Sequence, residues 1–408
     1  MPDRLFTNGT LIFANRLLDG YVITSGDRIL EVGPGPGPRE CFPDKLINLN
    51  GNYLAPGFID LHVHGGAGAD FMDGTAEAFR TICQAHLRHG TTSLLATSTA
   101  ARHEQIVEFL QQCRRFQTED SGGAKVLGAH FYGPYFAEQA RGCHPQAPIG
   151  PPQKKEVAEF LAFADCIRTA TVAPELPGAA EFVAACGAHG IRCNAGHSHA
   201  TFAQMEEAVR WGVRHVDHLF CAMSDRARLR QTQAYPMRGG VLEATLFFDE
   251  LTTEVIADGK HLQAELLQLA YKIKGPDHLA LVTDCNRALD MPDGEYIFGP
   301  FDGGEPIIRR DGVGLLPDGS ALASGVMGMD HMVRTFHRLT GAPLVETIRM
   351  ATLTPARIAG AEREIGSIEI GKRADLLVLD RELTVCTVYR DGEQLFPLSP
   401  RFGGRGLG

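Results

Sequence analysis

The run PGFIDLHVHGG, Pro56 to Gly66, decides how the rest of this 408-residue chain is read. Alternate residues of a strand face one side, so His62 and His64 present two imidazoles to one point while Leu61 and Val63 face the opposite layer. Two neutral imidazoles suit a borderline-soft divalent cation. An HxH pair can equally be two satisfied polar residues in a loop. The weight therefore falls on what else the chain places at strand ends.

Outward from that run, short apolar or β-branched segments alternate with helical ones. TSLLATS, KVLGAHF, IRCNAG, RHVDHLF and LALVTD read as strands, whereas AEAFRTICQAHLRHG and TFAQMEEAVRWG carry helical spacing. Such alternation implies parallel strands with crossover helices. It predicts an α/β fold with a (β/α)8 TIM-like barrel over residues 56–360. On either side the texture changes. Residues 1–55 hold LFTNGTLIFANRLLDGYVITSGDRILEVG, brief β runs punctuated by NG, DG and GD turn signals, and residues 361–408 return to strands in GSIEIGKRADLLVLDRELTVCTVYRDGEQL. The two termini are expected to join in one small β-sandwich domain. LVETIRMATLTPARIAGAE reads as helix up to its proline, and GPGPGPRE, Gly33 to Glu40, as a loop without the context of a phosphate cradle.

Composition excludes several classes. Hydrophobic residues make up 44%, charged residues 22%, and the net charge is −10. With no basic run interleaved with aromatics, nucleic acid is not an expected partner. No uninterrupted apolar stretch of about 18 residues occurs, and the first residues lack a basic region followed by an apolar one, so no membrane partner and a cytoplasmic location are expected. Ten cysteines without a CxxC pair read as reduced, mostly buried thiols. Any metal site must then be built mainly from His and carboxylates.

Such residues stand at the ends of later apolar runs: His197 in CNAGHSHAT, His218 in HVDHLF and Asp284 in LALVTDCN. Barrel enzymes gather their chemistry at the carboxyl ends of the strands, so one centre is expected to collect all five groups. His86, His89, His103, His331 and His337 lie in helical segments and are assigned to packing or surface. His199 and His215, displaced in strand phase or past the strand end, are set aside.

Taken together, PGFIDLHVHGG, GPYF, AGHSHATF, VDHLFCAMS, IADGKHL, LVTDC, ATLTPARIAG and GSIEIGKRADLLVLD resemble the amidohydrolase superfamily, and within it the N-acetylglucosamine-6-phosphate deacetylase family. The resemblance implies a distorted barrel with a small β-sandwich domain and one or two divalent ions, zinc first, with iron, manganese or cobalt as alternatives. It also implies hydrolysis of the 2-acetamido group of a sugar phosphate, and a homodimer. His62, His64, His197 and His218 match the metal histidines, and Asp284 matches the catalytic aspartate. For the substrate, His144 in RGCHPQAPI, Cys221 and Ala222 in HLFCAM, His261 in IADGKH, and either Arg228 or Arg230 as the phosphate arginine match family positions.

Two departures stand out. HFYGPYF places Tyr132 where the family has a metal-binding Glu, and Cys221 stands where it has Asn. A phenol with a pKa near 10 is a poor substitute for a carboxylate, and a thiol hydrogen-bonds more weakly than a carboxamide. Glu138 is a candidate replacement carboxylate. The arrangement preferred from the sequence is a single cation on His62, His64, His197 and Asp284, leaving His218 to polarise the scissile carbonyl or hold the attacking water, with Asp284 as general base and then acid. The alternatives are a hydrolase of another acylated sugar, an N-acyl amino acid or a nucleobase-like compound, and a catalytically silent scaffold.

Overall fold

Eight strands follow one another along the chain and pair in parallel in the same order: β1 (Phe58–Val63), β2 (Thr91–Thr97), β3 (Lys125–Phe131), β4 (Ile167–Val172), β5 (Arg192–Ala195), β6 (Val213–Val216), β7 (Thr252–Ile256) and β8 (Leu279–Val282). A computed structural model describes residues 3–38, 45–232 and 235–396. β8 returns to β1 at the carboxyl end, where the Asp284 amide donates to the His62 carbonyl at 2.9 Å and the His64 amide to the Cys285 carbonyl at 2.9 Å. A side chain completes the seam: the Asp60 carboxylate accepts from Thr283 Oγ1 at 2.6 Å and from the Thr283 amide at 3.2 Å. The expected barrel is present. β4 and β7 are not among the runs read as strands from the sequence, because IRTATV and TTEVI dilute their apolar residues with polar ones.

The crossover helices form where caps and apolar spacing agree. In Phe202–Trp211, Thr201 and Gln204 exchange side-chain and backbone hydrogen bonds in a capping box, and Gly212 ends the helix at φ 121°. LVETIRMATLTPARIAGAE behaves differently from its expected helix. It breaks at Thr352 and restarts, giving Leu344–Met350 and Leu353–Ile358, with Pro355 inside the second. A proline is tolerated there because the first turn of a helix has no intrahelical acceptor for its N–H groups.

Both ends of the chain build the second, mostly antiparallel sheet, as expected. Arg4–Ile12, Leu17–Ser25, Arg28–Pro34, Leu46–Asn48 and Tyr53–Pro56 come from one end, and Leu376–Leu379, Val385–Arg390 and Glu393–Phe396 from the other, joined where Tyr53–Pro56 pairs with Leu376–Leu379. Strand alternation lets one segment serve two cores. Leu376 and Val378 pack with Phe6, Leu11, Val22 and Leu54, while Leu377 and Leu379 join the barrel's apolar shell. Of the three expected turns, only Gly26-Asp27 connects two strands. Asn8-Gly9 forms a bulge within Arg4–Ile12, and Asp19-Gly20 lies inside Leu17–Ser25. Gly20 is there for close approach, since a Cβ would strike the Gly33 carbonyl oxygen of the next strand.

A feature absent from the sequence reading follows β8: a three-stranded antiparallel sheet, Gly294–Phe298, Glu305–Arg310 and Val313–Leu315, that brings Phe298 over the barrel mouth. The nine described cysteines are unpaired, eight of them buried; Cys41 lies outside the described residues, as do residues 397–408 of the expected carboxyl-terminal segment. Among the described residues no helix is long and apolar enough to cross a membrane.

Candidate active site

His62 lies in β1 and His64 just beyond it, while His197, His218 and Asp284 each stand two residues past the ends of β5, β6 and β8. Those last three hold left-handed backbone, with φ of 44°, 25° and 49°. Such conformations cost about 1–3 kcal/mol each and persist only where the surroundings fix them. Here the His218 amide donates to Glu254 Oε1 at 3.3 Å, the Ala137 amide donates to the His197 carbonyl at 2.9 Å, and Ser324 Oγ donates to the Asp284 carbonyl.

The five groups converge in two subsets. Asp284 Oδ1 lies 3.2 Å from His64 Nε2 and 3.6 Å from His62 Nε2, and these three residues form a group close enough to hold an ion. Across from them His197 Nε2 lies 3.2 Å from His218 Nε2, which in turn is 2.5 Å from Tyr132 Oη. His197 thus joins His218 and Tyr132, and falls outside the group of His62, His64 and Asp284 where the preferred sequence arrangement had placed it. The Tyr132 ring lies 4.5 Å from that of His62 and 5.3 Å from that of His197.

Beneath this mouth the barrel interior is polar, where such barrels ordinarily pack branched apolar side chains. Glu254 Oε1 meets His62 Nδ1 at 2.7 Å, and its other oxygen meets His215 Nε2 at 3.2 Å. Asp217 accepts from Thr171 Oγ1 at 2.6 Å and Asn194 Nδ2 at 2.8 Å, and His130 contacts Thr171 at 2.8 Å. His215, set aside on strand phase, and His130, Asp217, Glu254 and Asp60, not singled out from the sequence, all belong to this layer. The signal for Asp60 was present: it stands two residues before His62, in phase with the HxH pair.

Burial sets the protonation pattern. It raises Asp60 and Asp217 to about 7 and Tyr132 well above its ordinary value. It lowers His218 to about 4 and holds His144, His197 and His130 well below the imidazole range, with neighbouring imidazoles adding to the effect. For His62 burial is outweighed by the charges of Glu254 and Asp284, which raise it to about 9. Burial is likewise outweighed at Glu254 and Asp284, whose carboxyls lie below their usual range because His62 stands beside both. In the absence of metal, the Glu254 and Asp284 carboxylates on either side of His62 favour its protonated form.

The mouth opens into a cavity of about 340 Å³. His144 lines it, its Nδ1 accepting from the Ala100 amide at 3.3 Å and its ring lying 4.9 Å from Phe136 and 5.1 Å from Phe298. Cys221 and Ala222 also line it, burial pushing the Cys221 thiol up to about 12. Arg228 and His261 complete the lining; Arg228 donates to the Met223 carbonyl, and His261 Nδ1 is held by Asp258 at 2.7 Å. Arg230 is exposed and outside the lining, which leaves Arg228 as the arginine at the cavity. Glu138 does not reach inward: it is exposed at the start of a short 3-10 turn and accepts from Gln146 at 2.5 Å. Gln139 of the 3-10 turn, the loop residues Cys143 and Leu322, and Phe298 at the end of its strand line the cavity without any periodicity that the sequence could have displayed.

Residues 53–395 match the amidohydrolase family, a class of metal-dependent hydrolases, and the chain belongs to that family. It is 30% identical to the N-acetylglucosamine-6-phosphate deacetylase of Vibrio furnissii over 85% of this chain and 84% of that protein. It is 31% identical to the N-acetylgalactosamine-6-phosphate deacetylase of Escherichia coli over 87% of this chain and 90% of that protein. The crystal structure of N-acetylglucosamine-6-phosphate deacetylase from Pasteurella multocida superposes with a TM-score of 0.87, at 30% identity, covering 96% of this chain and 99% of that one. Within the amidohydrolases, then, this chain is a member of the N-acetylglucosamine-6-phosphate deacetylase family. The donor set fits the class: His62 Nε2 and His64 Nδ1 are buried with no hydrogen-bond partner, an expensive state unless a ligand completes it.

Proposed function

We propose that this protein is a metal-dependent deacetylase that hydrolyses N-acetylglucosamine 6-phosphate to glucosamine 6-phosphate and acetate. The observation that carries the reading is the meeting of His62, His64, His197, His218 and Asp284 at one barrel mouth that opens on a cavity bearing Arg228 and His261. His62, His64 and Asp284 would hold a single divalent ion, zinc first, and such an ion acidifies water and polarises a carbonyl oxygen. Asp284 accepts the proton of the attacking water and returns it to the departing amine. Burial keeps His218 neutral at physiological pH, so its ring stands beside the reacting amide without adding a charge of its own. Tyr132 donates to His218 Nε2, fixing that ring, and withholds the lone pair from a second ion. His144 faces the sugar between two aromatic rings, while Arg228 and His261 face the phosphate; Asp258 fixes the His261 ring through Nδ1.

The reaction belongs to amino sugar metabolism, and we place the enzyme in the cytoplasm as a homodimer. The test is acetate release by the zinc-loaded protein from N-acetylglucosamine 6-phosphate, its galacto epimer and unphosphorylated N-acetylglucosamine, with light scattering for the dimer. Turnover is expected with the phosphorylated gluco sugar. No acetate from either phosphorylated epimer removes the assignment. Preference for the unphosphorylated sugar removes the roles of Arg228 and His261.

A further inference from the structure

Position 132, where the family resemblance implies a metal-binding carboxylate, holds a phenol, and Glu138, the nearest acidic residue in sequence, is exposed and bonded to Gln146. The structure places a different carboxylate against the same centre. Glu254, 1% exposed and 192 residues from His62 in sequence, rises from the middle of β7 to meet His62 Nδ1 at 2.7 Å. Its second oxygen is held by His215 and its first also accepts from the His218 amide, so its position is fixed from β6 as well as β1. The opposite nitrogen of His62, Nε2, is buried, has no hydrogen-bond partner and is 3.6 Å from Asp284.

We propose that Glu254 is the positioning carboxylate of the metal centre, supplying from beneath His62 the negative charge that Tyr132 no longer supplies from the side. The proposal rests on the single-ion reading of the site given above. A carboxylate on one ring nitrogen fixes the other as the lone-pair donor, sets the ring's orientation and makes it a better ligand. The arrangement favours the His62–His64–Asp284 side for the ion, the side away from the His218 nitrogen that Tyr132 occupies. Asp217, the other buried carboxylate close enough to share an ion with His62 and Glu254, is already engaged by Thr171 and Asn194, which suits a supporting role more than a ligand's.

The test measures zinc affinity by competition with a chromophoric chelator for the wild type, His62→Ala, Glu254→Gln and the double variant Glu254→Gln/Tyr132→Glu. Metal-free thermal melts of each run in parallel. Glu254→Gln should lose about 10- to 100-fold in zinc affinity, the range seen for partners of metal-bound histidines, and Tyr132→Glu should restore most of it. Wild-type affinity in Glu254→Gln overturns the proposal, and so does a loss that the restored carboxylate at 132 leaves untouched, since that pattern marks Glu254 as purely structural. If the wild type and His62→Ala bind zinc equally, the single-ion reading itself fails and takes this proposal with it, a result distinct from the other two. Nitrogen NMR of the zinc-loaded wild type needs no variant: His62 should show a protonated Nδ1 with a downfield, strongly hydrogen-bonded proton. Zinc on Nδ1, or an Nδ1 proton at ordinary shift, overturns the proposal even if Glu254→Gln does not fold.

Discussion

Replacing Asp284 by Asn is the sharpest test of the proposed chemistry, because the structure separates its catalytic cost from its structural cost. Asp284 sits at φ 49°, a region that Asn tolerates nearly as well as Asp, whereas Ala would add left-handed strain. The amide keeps the size of the carboxylate and can still accept from His64 Nε2, now at 3.2 Å. What it cannot do is take a proton. Loss of a positioned general base costs roughly 10²–10⁴ in rate. By transition-state arithmetic that is about 3–5 kcal/mol of barrier. The amide also removes one negative charge from beside His62. The folded Asp284 carboxyl is depressed below its unfolded value, so its contribution to stability is present above the unfolded pKa and lost as pH falls through the folded one. At neutral pH the metal-free variant should consequently melt below the wild type. The assay is kcat for acetate release at saturating substrate, with zinc content measured on the same samples. If the variant carries wild-type zinc and its kcat lies within about threefold of wild type, the assignment of Asp284 as the proton acceptor is refuted.

Three further outcomes are expected. Tyr132→Glu should raise bound zinc from one ion toward two per chain, because it removes the phenol from His218 Nε2 and returns a carboxylate beside His197 and His218; metal analysis after gel filtration that still finds one ion contradicts the blocking role of Tyr132. Two histidines of one helix, Ala76–Arg88 and its cap, should contribute opposite pH dependences to stability. Burial lowers His86 to about 4, so the unfolded state binds the extra proton and the His86 contribution to stability rises with pH from about 4 to 6.5; at His89 burial is outweighed by the hydrogen bonds its ring donates to Asp290 and Asp330, which raise it to about 9, so its contribution is full below 6.5 and is lost as pH rises toward 9. Denaturant melts across that range should show His89→Gln flattening the alkaline limb only. Phe79→Ala should cost about 3–5 kcal/mol, as for other large core truncations, since the ring is fully buried 4.6 Å from Phe71 and 5.3 Å from Phe116; kcat of the folded fraction should not change.

The parts of this molecule that were legible in the sequence are those written locally. The alternation in PGFIDLHVHGG put His62 and His64 on one side, and the barrel rule was enough to bring His197, His218 and Asp284 to the same end from strands far apart in the chain. The signals that misled were also local. Asn8-Gly9 and Asp19-Gly20 look like hairpin turns, but their glycines serve a bulge and a close strand approach, and only the tertiary partner, such as the Gly33 carbonyl against Gly20, reveals it. The sheet after β8 was missed because its strands alternate weakly and pack on the barrel mouth more than on a core of their own.

The polar layer beneath the site was hidden for a different reason. A charged residue in the middle of a five-residue strand, as Glu254 in TTEVI, argues against a buried strand when read alone, because an unpaired buried carboxylate is costly. It becomes favourable only when His62 and His215 arrive from β1 and β6, and neither pairing leaves a trace in spacing along the chain. The same holds for the loss at Tyr132. Judged at that position the site is short of one negative charge, and a silent scaffold is a reasonable reading; judged across the barrel, a carboxylate stands against His62 from the other side. Two carboxylates around one imidazole, with Nε2 left without a hydrogen bond 3.6 Å from Asp284, would be an expensive arrangement to bury for packing alone. That cost, more than the count of histidines, weighs for a working metal centre over a scaffold.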